Sequence, residues 1–150
     1  MRFSLFYNFD VLPPKQLTEL YRDVEAQAIA ADKLGFDAIW LAEHHFALYD
    51  RLPSPLLFLA RLSAITQQIR LGSAIVKAPY YHPLRLAEDT ALLDVLSRGR
   101  VRLGVGSGAK NKPQEFVPFG VALEEKSART CEIIAILHQA FVSGWVNFEG

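Results

Sequence analysis

The sequence predicts an α/β protein built from parallel βα units, and three observations point there. Short apolar runs of strand length alternate with longer stretches whose apolar residues have helical spacing. The strand-like runs recur roughly every thirty to thirty-five residues, which leaves room for a crossover helix between neighbours. Pro and Gly fall mainly at the joints between these segments. An open doubly wound sheet and part of a (β/α)8 barrel both satisfy the pattern, and in both a ligand sits beyond the C-terminal ends of the strands.

Arg2 to Tyr7 reads as the first strand, followed by a loop marked by Pro13 and Pro14. From Gln16 to Leu34, residues Leu17, Leu20, Tyr21, Val24, Ala28 and Ala31 share one helical face, and Gly35 stops the helix. Phe36 to Leu41 is a compact apolar run, a buried strand. Ser54 as N-cap and Pro55 at the first helical position open a helix to Thr66. Ile69 to Val76 is the third strand, with Gly72 as its weak point. Pro83 opens the next helix, which reaches about Ser97 and closes at Gly99. Val101 to Val105 is the fourth strand and runs into Gly104-Val105-Gly106-Ser107-Gly108. Glu124 to Phe141 places Cys131, Ile134, Leu137 and Phe141 on one stripe, so Cys131 is expected in the core. Trp145 to Phe148 could begin another extended segment.

Composition narrows the function classes. The 150 residues, 51% hydrophobic and 21% charged, suit one domain. Sixteen basic residues balance sixteen acidic ones, so no net field draws the chain to nucleic acid or an anionic membrane. A mean hydropathy of +0.13 argues against disorder. No apolar run approaches the ~20 residues of a membrane span, and Met1-Arg2-Phe3-Ser4 does not open a signal peptide. Cys131 is the single cysteine, which excludes an internal disulfide and fits a reducing compartment, so a cytoplasmic protein is expected.

Three strand ends carry unusual residues. The second runs into Ala42-Glu43-His44-His45-Phe46, where two histidines at a strand mouth suit acid–base work near neutrality. Adjacent residues on an extended chain point to opposite sides, and His82 and His138 have no zinc-like spacing to this pair, so a metal site is not expected. The third strand ends in small residues, Gly72-Ser73-Ala74, which would let a flat ligand approach or would simply pack tightly. His82 before Pro83 reads as a helix-start residue, and Glu88 and Asp89 as acids in the first turns of that helix. Gly104 to Ala109 satisfies G-x-G-x-x-A, but Pro113 stands where a dinucleotide fingerprint needs helix interior. Arg98, Arg100 and Arg102 belong at the opposite end of the strand from the ligand, whereas Lys110 and Lys112 lie on the ligand side and could meet a phosphate.

Together, Trp40-Leu41-Ala42-Glu43-His44-His45-Phe46, Leu71-Gly72-Ser73-Ala74-Ile75-Val76, His82-Pro83-Leu84-Arg85-Leu86-Ala87-Glu88-Asp89, and Leu92 to Arg100 running on to Gly104-Val105-Gly106, resemble the luciferase-like flavin-dependent monooxygenases. The resemblance covers essentially the whole chain and is nearest to the bacterial luciferase branch. It implies the N-terminal half of a (β/α)8 TIM barrel. It also implies reduced FMN, supplied by a separate flavin reductase, reacting with O2 to oxidise a small organic substrate such as an aldehyde. By position, His44 matches the family's acid–base histidine and His45 its neighbour, of less defined role. Ala74 and Ile75 match the strand against the flavin ring, where the family carries a non-prolyl cis peptide. Glu88 matches an acid near the cofactor pocket. Gly106 and Ser107 replace a cysteine and a phosphate-binding arginine of the long-chain luciferase subunit, which favours the broad monooxygenase group over a light-emitting enzyme. Relatives that use the deazaflavin F420 for hydride transfer remain an alternative.

A full barrel needs about 250 residues, so the chain is expected to be the N-terminal part of a longer enzyme, residues 1–150 forming half of one domain. A non-catalytic half-barrel or assembly partner is the alternative from another class. The helix from Pro55 to Thr66 is apolar on most faces, the mark of a dimer interface, homo- or heterodimeric.

Overall fold

The computed structural model describes residues 1–10, 16–46, 50–110 and 112–149. The loop expected around Pro13 and Pro14 lies outside them. Strand β1 (Ser4–Tyr7) leads to helix α1 (Leu17–Lys33), then β2 (Ala38–Leu41), α2 (Pro55–Ile65), β3 (Arg70–Ser73) and β4 (Val76–Lys77). After a 3-10 turn over Ala78–Tyr80 come α3 (Pro83–Ser97), β5 (Val101–Arg102) and β6 (Val105–Gly106). Two further 3-10 turns, Pro113–Glu115 and Val117–Phe119, precede α4 (Lys126–Ser143). One sheet has the order β1-β2-β3-β5, and a second pairs β4 with β6. Every pairing is parallel. Parallel neighbours in sequence order with a helix between each pair make this the N-terminal half of a (β/α)8 barrel.

The helix boundaries follow local chemistry. Gln16 and Glu19 close a capping box at the start of α1, and Gly35 takes the left-handed conformation just past its end, at φ 76°. Pro55 and Pro83 both stand at the first helical position. The core lies between sheet and helices, with Ile39, Leu41, Leu59, Leu62, Leu71 and Leu86 buried.

The third and fourth strands differ from their expected continuous form, because both break at the same level. Ser73 fills the gap: its hydroxyl donates to the Gly104 carbonyl at 3.0 Å and accepts from the Gly104 amide at 3.0 Å. The Val76 amide then donates to the same carbonyl at 2.8 Å, which restarts the pairing as β4 and β6. A Cβ on Gly104 would stand 2.2 Å from the Ser73 carbonyl oxygen, so this close crossing admits only glycine. Gly72 likewise makes room for the Trp40 indole, which a Cβ would meet at 2.3 Å.

The last helix departs from its expected face. Thr130, Ile133, Ile136 and Leu137 are buried, while Cys131 is exposed and Ile134 and Phe141 are about half exposed. The helix is apolar on two faces, and periodicity alone cannot say which one meets α3. Trp145 to Phe148 forms no strand. No helix of the described residues is long and apolar enough to cross a membrane.

Arg100 behaves as a bottom-face anchor. Its guanidinium donates to the carbonyls of Ser63, Thr66, Ile69 and Ser97 and to the Thr66 hydroxyl, tying the exit of α2 to the exit of α3.

Candidate active site

At the C-terminal ends of the strands lies a cavity of about 350 Å³, lined among others by Glu43, His44, Ala74, Ile75, Lys77 and Ser107. Each wall comes from a different strand end, the arrangement that a parallel βα fold provides. The peptide between Ala74 and Ile75 is cis, as the family resemblance implies. Across from it the backbone of β6 carries no side chain at Gly106, whose Cβ would stand 2.4 Å from Ile75 Cδ1. The Ile75 side chain thus lies over Gly106, and Ala74 and Ile75 together form an apolar wall of the cavity.

The two histidines take separate environments. His45 Nε2 contacts the Glu43 carboxylate at 2.7 Å, and its ring meets Phe119 and Tyr80 edge-on at 4.8 and 5.3 Å. Glu43 is fully buried and also accepts from the Lys77 amide at 2.9 Å. Burial, together with the Glu43 charge and a hydrogen bond to it, pushes the Tyr81 phenol well above its ordinary value. His45 is thus embedded in the supporting wall. His44 lines the cavity, with its Nδ1 3.1 Å from Glu115 Oε1 and its Nε2 3.3 Å from Asp50 Oδ2.

Glu115, Lys77 and Asp50 are residues that sequence reasoning did not single out. Lys77 Nζ bonds the second oxygen of Glu115 and lies 3.2 Å from His44 Nδ1. Lys112 Nζ lies 3.5 Å from the same nitrogen, on the ligand side as expected. Burial alone would raise the Glu115 carboxyl, but hydrogen bonds from Lys77 and His44 outweigh it and hold Glu115 below the usual carboxylate range. Asp50 goes the other way: burial pushes it up, against the pull of the Phe9 amide, which donates to Oδ1 at 3.0 Å. The one local signal for this cluster was Lys77 itself, a lysine straight after an apolar strand; its carboxylate partner is 38 residues away.

A second buried cation lies beside Ser107. Lys126, the first residue of α4, is 4% exposed. Its ammonium donates to the Ser107 hydroxyl at 3.2 Å and to the carbonyls of Ser107 and Gly108, and it stands 5.8 Å from the centre of the Phe116 ring. No ion pair forms to it among the described residues. Positive charge is therefore present at this position, delivered from the helix rather than from the loop.

Glu88 lies elsewhere. On α3, Leu86, Ala87, Thr90 and Leu93 face the protein, and Glu88 falls on the opposite side. Its carboxylate is 67% exposed and pairs with Arg85 at 2.9 Å, so it does not line this cavity.

The family description "luciferase-like monooxygenase" matches residues 1–150. The oxygenase component of the flavin-dependent trigonelline monooxygenase of Acinetobacter baylyi is 35% identical over 135 residues, covering 89% of this chain and 38% of that protein. The monooxygenase RslO1 of Streptomyces bottropensis superposes with a TM-score of 0.93 at 31% identity, over 100% of this chain and 46% of that one. An F420-dependent secondary alcohol dehydrogenase superposes with a TM-score of 0.78 at 22% identity, a likeness of fold. The chain spans less than half the length of these proteins.

Proposed function

This chain belongs to the luciferase-like monooxygenase family, and from that premise we propose that it forms the flavin-side half of a flavin-dependent monooxygenase. In this reading residues 1–150 are the N-terminal part of one barrel domain, and the barrel uses reduced FMN and O2 to oxidise a small organic substrate. The observation that carries the proposal is the cavity itself: an apolar wall at Ala74 and Ile75, a histidine beside it, and at Ser107 a buried cation with no ion pair among the described residues. These features fit a flat, anionic cofactor. A buried ammonium served only by neutral oxygens is costly, and a phosphate ester would supply the missing charge.

Bound there, FMN would supply the redox chemistry with oxygen. Ala74 and Ile75 would hold the flat ring, Ser107 and Lys126 the anionic tail. His44 would donate or accept a proton at the reacting end, and His45 would support the wall through Glu43. The surrounding aromatics Tyr80, Phe116 and Phe119 would limit water. A separate reductase would deliver the reduced cofactor.

The test uses the full-length enzyme. Oxygen uptake should accompany consumption of reduced FMN, and reduced F420 should not replace it. Replacing His44 with Ala should lower turnover ~100-fold, the usual scale of a lost acid–base group. Unchanged turnover would remove His44 from the mechanism.

A further inference from the structure

The His44 imidazole is bracketed by two buried carboxylates from distant parts of the chain. Glu115 arrives from the loop after β6 and Asp50 from the loop after β2. Both acids are themselves held. Lys77 grips the far oxygen of Glu115, and the Phe9 amide and Arg51 backbone tie Asp50 and its neighbour to the end of the β1 segment. Around the ring, Glu115, Lys77 and Lys112 lie near Nδ1 and Asp50 near Nε2.

We propose that Glu115 is the positioning residue of His44, keeping a proton on Nδ1 so that Nε2 is the nitrogen that exchanges a proton at the site. The proposal rests on the reading of His44 as the acid–base group and names the device that sets its tautomer. An ionised carboxylate can only accept, so the 3.1 Å contact between Glu115 and His44 requires Nδ1 to donate. Lys77, which can only donate, cannot serve that N–H; its bond goes to Glu115 and keeps the carboxylate ionised in its buried place. With Nδ1 committed, Nε2 is the position that gains or loses a proton. Asp50 Oδ2, buried without a hydrogen-bond partner among the described residues, faces this nitrogen at 3.3 Å and would stabilise the imidazolium when it forms. The opposed shifts of the two acids, Glu115 down and Asp50 up, agree with these roles.

The experiment reads the tautomer directly, by 15N NMR of the full chain labelled at histidine, with His44→Gln assigning the signals. The wild type should show His44 Nδ1 in its protonated form. In Glu115→Gln that signature should weaken as the proton relocates to Nε2, whereas in Asp50→Asn the Nε2 signal should move and Nδ1 should not. Should Glu115→Gln fold poorly because Lys77 is left unpaired, the double variant Lys77→Met with Glu115→Gln removes both charges and should give the same relocation. An unprotonated Nδ1 in the wild type, or unchanged His44 signals in the folded variants, overturns the proposal. In the full-length enzyme Glu115→Gln should lower kcat ~100-fold with little change in KM, the pattern of a wrong tautomer. If the tautomer moves and kcat does not, the positioning stands and the catalytic reading of His44 fails.

Discussion

Single side chains at the strand mouths show how burial forces charges into pairs. Lys77 and Glu115 are both almost fully buried and neutralise one another, because leaving either alone would cost several kcal/mol, about 3–5 on removing a partner. Lys126 has no such partner among the described residues and donates only to Ser107 and Gly108 oxygens there. Lys126→Met should therefore weaken FMN binding by about 10–100-fold, the scale of one charge-assisted hydrogen bond. Riboflavin, which has no phosphate, should bind wild type and variant alike. Fluorescence titration with both flavins checks this, and an equal loss for the two would place Lys126 in the structural frame instead. Ser107 itself brings no charge to this place; the cation comes from a residue 19 positions on.

Among the elements, the joint between α1, α2 and β3 depends on one acid. Asp32, near the end of α1, accepts from the amides of Gln67, Gln68 and Ile69 at 2.7, 2.8 and 2.7 Å, which capture the turn entering β3. Burial works against its ionisation, yet these three donors win and hold the carboxyl below its usual value. A lowered folded pKa means the stabilisation is present above the unfolded value near 3.9 and is lost as pH falls through the folded one. Asp32→Ala should thus cost about 2 kcal/mol at pH 7. Its stability should also fall less steeply than the wild type's when the pH is taken below about 4. Urea denaturation at neutral and acid pH measures both, and equal acid slopes would contradict the assignment. The paired strand breaks at Ser73 and Gly104 belong to this scale too. Residue pattern predicts two continuous strands, and the hydroxyl bridge that splits them is a contact across 31 residues.

For the whole molecule, the outer surface of α2 and α3 is the unusual feature. Leu57, Leu92, Val95 and Leu96 are 74, 59, 75 and 57% exposed, and three of them line an apolar cleft between the two helices. Isolated exposed leucines are ordinary, but a contiguous strip on adjacent helices is what a subunit interface leaves bare. We propose that a second barrel of the same kind covers this strip. Leu57→Glu combined with Leu92→Glu should convert a dimer to monomers in sedimentation velocity while leaving the circular dichroism unchanged. A wild type that sediments as a monomer at micromolar concentration would refute the interface.

Alternating apolar runs, Pro at helix starts and Gly past helix ends were legible in the sequence, because each depends on residues within a turn or two of one another. They sufficed for the βα order, for the positions of all four helices within a few residues, and for His44 at a strand mouth, whereas Ala74, Ile75 and Ser107 were marked by the family resemblance. The inward face of α4 was not legible, since two faces of that helix are apolar and only the packing of Ile133 and Leu137 decides between them, leaving Cys131 outside. Nor was the charge network: Lys77 with Glu115, His44 with Asp50 and Glu115, and Lys126 with Ser107 have no periodicity that would mark them. Short-range geometry determines where strands and helices form, so the sequence carries it openly. Which carboxylate meets which cation depends on where whole loops arrive, and only the folded chain brings those loops together.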